Sequence, residues 1–163
     1  MKVTAQMRYA ADPQRAFAML LDEDFQQEVC RATGSLGCEV AIDGTAGGAT
    51  IRTTRQLPTD QFPDFVQKFV GDTVHVARVD TWGAAAADGS RDGTIVVEIK
   101  GAPVRLSGTL TLRPDGAGSL VDVDSELKAS VPLIGGKIEK AVEPPIRAAV
   151  RREEKVGARW LAR

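Results

Sequence analysis

From Leu36 to Val131 apolar and polar residues alternate with a period of two, broken by short turn-rich stretches and one aromatic interruption. Successive side chains of a strand point to opposite faces, so each alternating run reads as a half-buried strand. Leu36, Cys38, Val40 and Ile42 alternate with Gly37, Glu39, Ala41 and Asp43, and GTAGG at 44–48 turns the chain into a strand near Ala49 to Leu57. Further strands are predicted from about Thr73 to Trp82, through Ile95, Val97 and Ile99, through Val104, Leu106, Gly108, Leu110 and Leu112, and through Val121, Val123, Ser125, Leu127, Ala129 and Val131. Turns such as Pro114-Asp115-Gly116-Ala117-Gly118 can join antiparallel neighbours but are too short for parallel crossovers. The middle of the chain is therefore expected to be a six-strand antiparallel meander.

The flanks complete the plan. Val3, Ala5, Met7 and Tyr9 alternate with Lys2, Thr4, Gln6 and Arg8, predicting a first strand. Asp12-Pro13 is a helix start, because Asp accepts from free amides where Pro has none to leave unpaired. A second short helix is expected from Asp22–Asp24 through Phe25 and Val29 to a stop at Gly34. Within Leu57–Gly71, Phe62, Phe65 and Phe69 gather three of the five phenylalanines, predicting a short helix that either caps the core edge or forms an apolar lid. From Lys137 to Ala162, Ile138, Val142, Pro145, Ile146, Ala149, Val156 and Trp160 fall in one helical stripe. The Pro144-Pro145 pair predicts a bend or break of that helix near Glu143.

The balance of 21 basic against 22 acidic side chains gives no reason to expect nucleic acid as a partner. The N-terminus lacks an apolar core of signal-peptide length and no stretch is long enough to span a bilayer, so a cytoplasmic protein is expected, residues 1–163 forming one domain. Cys30 and Cys38 are too few for a disulfide framework and are expected as reduced thiols. With His75 the single histidine, neither a metal site nor a bound cofactor is expected.

The order β-α-α-β6-α with a long closing helix resembles the helix-grip fold of the START-like (SRPBCC) superfamily, which includes birch-pollen-allergen-like proteins, polyketide cyclases and aromatases, and lipid-transfer domains. More locally, MRYAADPQRAFAMLLDEDFQ, LPTDQFPDFVQKFVGDT, GAPVRLSGTLTLRPDG, VPLIGGKIEKAV and EEKVGARWLA resemble an uncharacterised bacterial family within it. The resemblance implies an α+β fold whose curved antiparallel sheet wraps the C-terminal helix, and a hydrophobic or lipid-like ligand held between the two.

Polar residues on apolar faces are the informative ones. Arg55 lies in phase with Ile51 and Leu57, Arg78 with Val74, Val76 and Trp82, and Glu153 falls inside the helix stripe. Unpaired charge does not stay buried, so each must reach water, find a partner or serve a ligand. One arrangement brings Glu153 to Arg55 or Arg78 as the polar focus of an apolar pocket; the other lets each arginine snorkel at the rim. Candidate ligand-binding residues are Arg55, Arg78, Trp82, Phe62, Phe65, Phe69, Leu106, Leu110, Val123, Val142, Ile146 and Glu153. His75 falls on the opposite face from Val74 and Val76, and Asp122, Asp124 and Glu126 read as a solvated outer row. Arg147, Arg151, Lys155 and Arg159 form an i, i+4 row that is either solvated or makes transient contact with a membrane surface. No hydrolase, zinc-protease or dinucleotide motif is present and no catalytic residue is assigned. The leading expectation is a carrier of a small hydrophobic molecule; the alternatives are a cyclase, aromatase or dehydratase using the same cavity, and a protein-interaction module with a filled interior. The sequence indicates no oligomeric state.

Overall fold

The computed structural model describes residues 1–45 and 47–163; Ala46, in the GTAGG turn, lies outside the described residues. Strand β1 (Lys2–Tyr9) is followed by helices α1 (Pro13–Leu20) and α2 (Glu23–Ala32), strands β2 (Gly37–Thr45) and β3 (Gly48–Pro58), and helix α3 (Asp64–Val70). Strands β4 (Thr73–Trp82), β5 (Arg91–Ile99), β6 (Val104–Asp115) and β7 (Gly118–Ala129) lead to the closing helix α4 (Gly135–Leu161). The strands form one sheet in the order β1-β7-β6-β5-β4-β3-β2, every neighbouring pair antiparallel. This is the expected meander, with β1 added beside β7, and the α+β helix-grip fold.

Local chemistry sets the element ends. Asp12 caps α1 by accepting from the Arg15 amide at 2.8 Å, with Pro13 at the first helical position. Asp22 caps α2 by accepting from Asp24 and Phe25. In β1, Val3, Met7 and Tyr9 are buried while Lys2, Thr4, Gln6 and Arg8 are exposed, as period-two patterning requires.

The structure corrects two expectations and removes the break, one of the two outcomes expected at Pro144-Pro145. Helix α4 runs through Pro144 and Pro145 without a break. Each proline removes an amide donor to the carbonyl four residues back. Buried Ile138 and Val142 before the pair and Val156 beyond it hold the helix to the sheet, and this packing overrides local propensity. Cys30 and Cys38 are paired as a disulfide rather than reduced, because the last turn of α2 lies against the start of β2 and brings their Cα atoms to 6.3 Å. The cytoplasmic expectation thus loses the support it drew from free thiols. Leu36, expected on the concave face, is 62% exposed: it precedes an edge strand none of whose side chains is fully buried.

Candidate functional site

Helix α4 lies in the curve of the sheet, and its two halves meet different surroundings. Towards its C-terminus Val156 and Gly157 are buried against a filled core. A Cβ on Gly157 would lie 2.3 Å from Tyr9 Cε1, so only glycine lets the helix come this close to β1. Phe17 meets Trp82 edge-on at 6.0 Å, and Phe25 meets Trp160 edge-on at 5.7 Å. The opposite end is bordered by α3 and the segment before it, which carry Phe62, Phe65 and Phe69. With the aromatic residues gathered at the two ends, the middle is lined by shorter aliphatic side chains that do not fill it.

A cavity of about 190 Å³ results. Its helix wall is Val142, Pro145, Ile146, Ala149, Val150 and Glu153. Its sheet wall includes Val3, Ala5 and Met7 of β1, Val76 and Arg78 of β4, Val97 of β5, Leu106 of β6 and Val123 and Ser125 of β7, with Arg55 and Leu57 from β3. A cavity of this size has room for several waters or a small organic ligand. The wall is apolar except for Arg55, Arg78, Glu153 and Ser125, and the Ser125 hydroxyl is turned onto the backbone, donating to the Val3 carbonyl at 2.7 Å.

The charged residues converge. Arg78 Nη1 donates to Glu153 Oε2 at 2.9 Å across the space between β4 and α4, and its Nε and Nη2 form a fork on Asp80, with Nη2 at 2.7 Å from Oδ2. Asp80 and Glu153 are 6% and 5% exposed and the Arg78 side chain between them 21%, so this is a largely buried triad. Burial pulls the Arg78 guanidinium down, but Asp80 and Glu153 more than offset it and hold it well above its ordinary value. Burial raises the Asp80 carboxyl above its ordinary range despite the bonds from Arg78, and the Glu153 carboxylate adds to the rise. Arg55 stands apart, its Nη1 donating to Thr33 Oγ1 at 2.9 Å. Burial lowers its guanidinium and the positive charge of Arg78 lowers it further.

Of the residues singled out in the sequence, Arg55, Arg78, Phe62, Leu106, Val123, Val142, Ile146 and Glu153 stand on the cavity wall. Four do not. Trp82 and Leu110 belong to the filled core, 3% and 1% exposed. Phe65 packs under the Lys137 ammonium, 5.3 Å from its ring centroid. Phe69 is largely exposed and lines only a minor crevice beside α3 with Phe62 and Val66. The strand phase gave the correct face for Trp82 and Leu110, but which stretch of that face is hollow depends on side chains from other elements. Asp80 is the residue sequence reasoning missed, although it lies in phase with Arg78 and Trp82. His75 is exposed, outside the cavity.

Comparison with known structures agrees with the architecture and defines the class: the protein has a START-like helix-grip fold. The protein TTHA0849 from Thermus thermophilus is similar with a TM-score of 0.63 at 16% identity, covering 96% of this chain and 97% of that one. A START superfamily protein from Mycobacterium smegmatis has a TM-score of 0.53 at 11% identity, covering 94% of each chain. The Zhui aromatase/cyclase from a Streptomyces species has a TM-score of 0.55 at 11% identity, covering 96% of this chain and 93% of that one. At these identities the likeness concerns the fold. By sequence, the chain belongs to the family described as "Protein of unknown function (DUF2505)", matched over residues 4–161. It is also 27% identical over 128 residues to the uncharacterized protein Rv0481c of Mycobacterium tuberculosis, spanning 77% of this chain and 71% of that protein. Among the described residues no helix is long and apolar enough to cross a membrane.

Proposed function

We propose that this protein binds and carries a small hydrophobic molecule in the cavity between sheet and α4. The observation that carries the reading is the cavity itself: about 190 Å³ with an aliphatic wall and one charged end, the combination by which pockets hold an apolar ligand and fix its orientation. Filling such a volume would remove aliphatic surface from water, and burial of that kind is favourable by about 25 cal/mol per Å². The fold shared with a START superfamily protein supports the same reading by analogy only, since function resides in the site. A protein-interaction module was expected to have a filled interior, and the cavity speaks against it. The cyclase-type reading draws on the likeness to an aromatase/cyclase, but it has less support in the site. Arg78 is held in ion pairs by both Asp80 and Glu153, and His75 lies outside the cavity. The test is titration with the uncharged fluorophore N-phenyl-1-naphthylamine, with native mass spectrometry of the protein from its own host to detect a co-purified molecule. Saturable one-site binding is expected; absence of binding would remove the carrier reading.

A further inference from the structure

We propose that the ligand of this cavity is an apolar monocarboxylic acid, seated with its carboxyl group against the guanidinium of Arg55. The proposal rests on the cavity being a ligand site and names the chemistry of what enters it. Of the four charged side chains at the polar end, three are joined by ion pairs: Arg78 takes both Asp80 and Glu153. Arg55 is the one left over. It is 7% exposed and stands on the cavity wall. Among the described residues its guanidinium makes one hydrogen bond, to the neutral hydroxyl of Thr33, and no ion pair.

A guanidinium carries five N–H donors in a planar fork, and burying donors without acceptors is expensive. The Thr33 contact satisfies one donor and holds the group in place, leaving the other donors without a partner among the described residues. A carboxylate matches that fork with two parallel charge-assisted bonds, whereas an alcohol or ester offers a single neutral acceptor. A phosphate would bring a second negative charge, and the one other cation on the described wall, Arg78, is already occupied. The aliphatic remainder of the wall requires an apolar tail.

Charge counting adds a second signature. The charged groups facing Arg55 are Arg78 and Asp80 from β4 and Glu153 from α4, so the empty cluster is formally neutral. An arriving carboxylate leaves it with one excess negative charge, which favours entry of one proton with the acid. Affinity for the acid should therefore rise as pH falls, while affinity for an ester should not.

The experiment is displacement of N-phenyl-1-naphthylamine by decanoic acid, decan-1-ol and methyl nonanoate, closely matched in heavy-atom count. In the wild-type protein the acid is expected to compete at about tenfold lower concentration than the other two, or better. In Arg55→Met the ratio of acid to ester affinity should fall to about one, whatever change all three competitors share, and Arg55→Lys, which keeps the charge without the fork, should retain part of the preference. Circular dichroism melting establishes that each variant folds. If Arg55→Met does not, Thr33→Val reads the same effect as a reduced preference for the acid. Equal competition by acid and ester in the wild type, or a preference that survives in Arg55→Met, would overturn the carboxyl assignment and leave the carrier reading standing. Failure of the fluorophore and all three competitors to bind would overturn both.

Discussion

The two halves of the concave face are built from the same alternating strands and covered by the same helix, yet one is a filled core and the other is hollow. At the filled end Tyr9, Phe17, Phe25, Trp82, Leu110, Leu112 and Val156 are all buried, and the aromatic rings interlock with the helices α1 and α2. At the hollow end Val142, Pro145, Ile146 and Ala149 face Val76, Val97, Leu106 and Val123 across open space. Apart from the charged cluster on the cavity wall, what separates them is side-chain size. Close-packed interiors tolerate few voids wider than a water molecule, so a gap of this extent on an otherwise packed face points to use rather than imperfect folding. The buried triad lies at the boundary, where Glu153 follows Ala149 and Val150 of the cavity wall and precedes Val156 of the core.

The largest effect is expected at that boundary. Arg78→Met leaves Asp80 and Glu153 buried side by side without a counter-charge and should cost about 3–5 kcal/mol in denaturant unfolding. A loss under about 1 kcal/mol would mean that water already reaches the triad. Next comes a paired comparison of the two halves. Phe25→Ala, in the filled core, should cost about 3–5 kcal/mol, whereas Ile146→Ala should cost less than about 2 kcal/mol, because its side chain already borders empty space. Equal losses would erase the distinction between the halves.

Cys38→Ser should cost about 2–3 kcal/mol through the short loop closed by the disulfide, and reductant should lower the melting temperature of the wild type to near that of the variant. An unchanged melting temperature would restore the expectation of free thiols. The smallest stability change is expected for Ala149→Leu, which adds apolar volume where the cavity can accept it and should shift stability by less than about 1 kcal/mol. The same substitution should weaken fluorophore binding sharply, so that stability and binding part company as they would not for a residue of the filled core.

The sequence made the architecture legible for physical reasons that act locally. Period-two runs, Asp caps and a helical stripe each declare an element without reference to its neighbours, and the shortness of the turns fixed the antiparallel order. The same phase rules put Arg55 and Arg78 on the inner face and Glu153 in the helix stripe, so half of the polar cluster's logic was readable before its geometry. What was not readable depends on distance between elements. Whether Arg55 or Arg78 would meet Glu153, whether Leu110 would face core or cavity, and whether Cys30 would reach Cys38 are settled by how helices seat against the sheet. The continuous course of α4 through Pro144 and Pro145 is another case, where packing overrode a sound local rule. Asp80 is different in kind: its phase was visible, and the requirement of a buried arginine for more than one acceptor was the signal that could have found it.

The central claim, that the hollow half is a ligand site and the filled half its scaffold, is tested most directly by methyl-resolved NMR of the Ile, Leu and Val side chains during titration with N-phenyl-1-naphthylamine. The account predicts saturable shifts at Val76, Val97, Val123 and Ile146, with Leu110, Leu112 and Val156 unmoved. Shifts centred on the filled core or on the exposed Leu133, or no saturable shift at all, would contradict it.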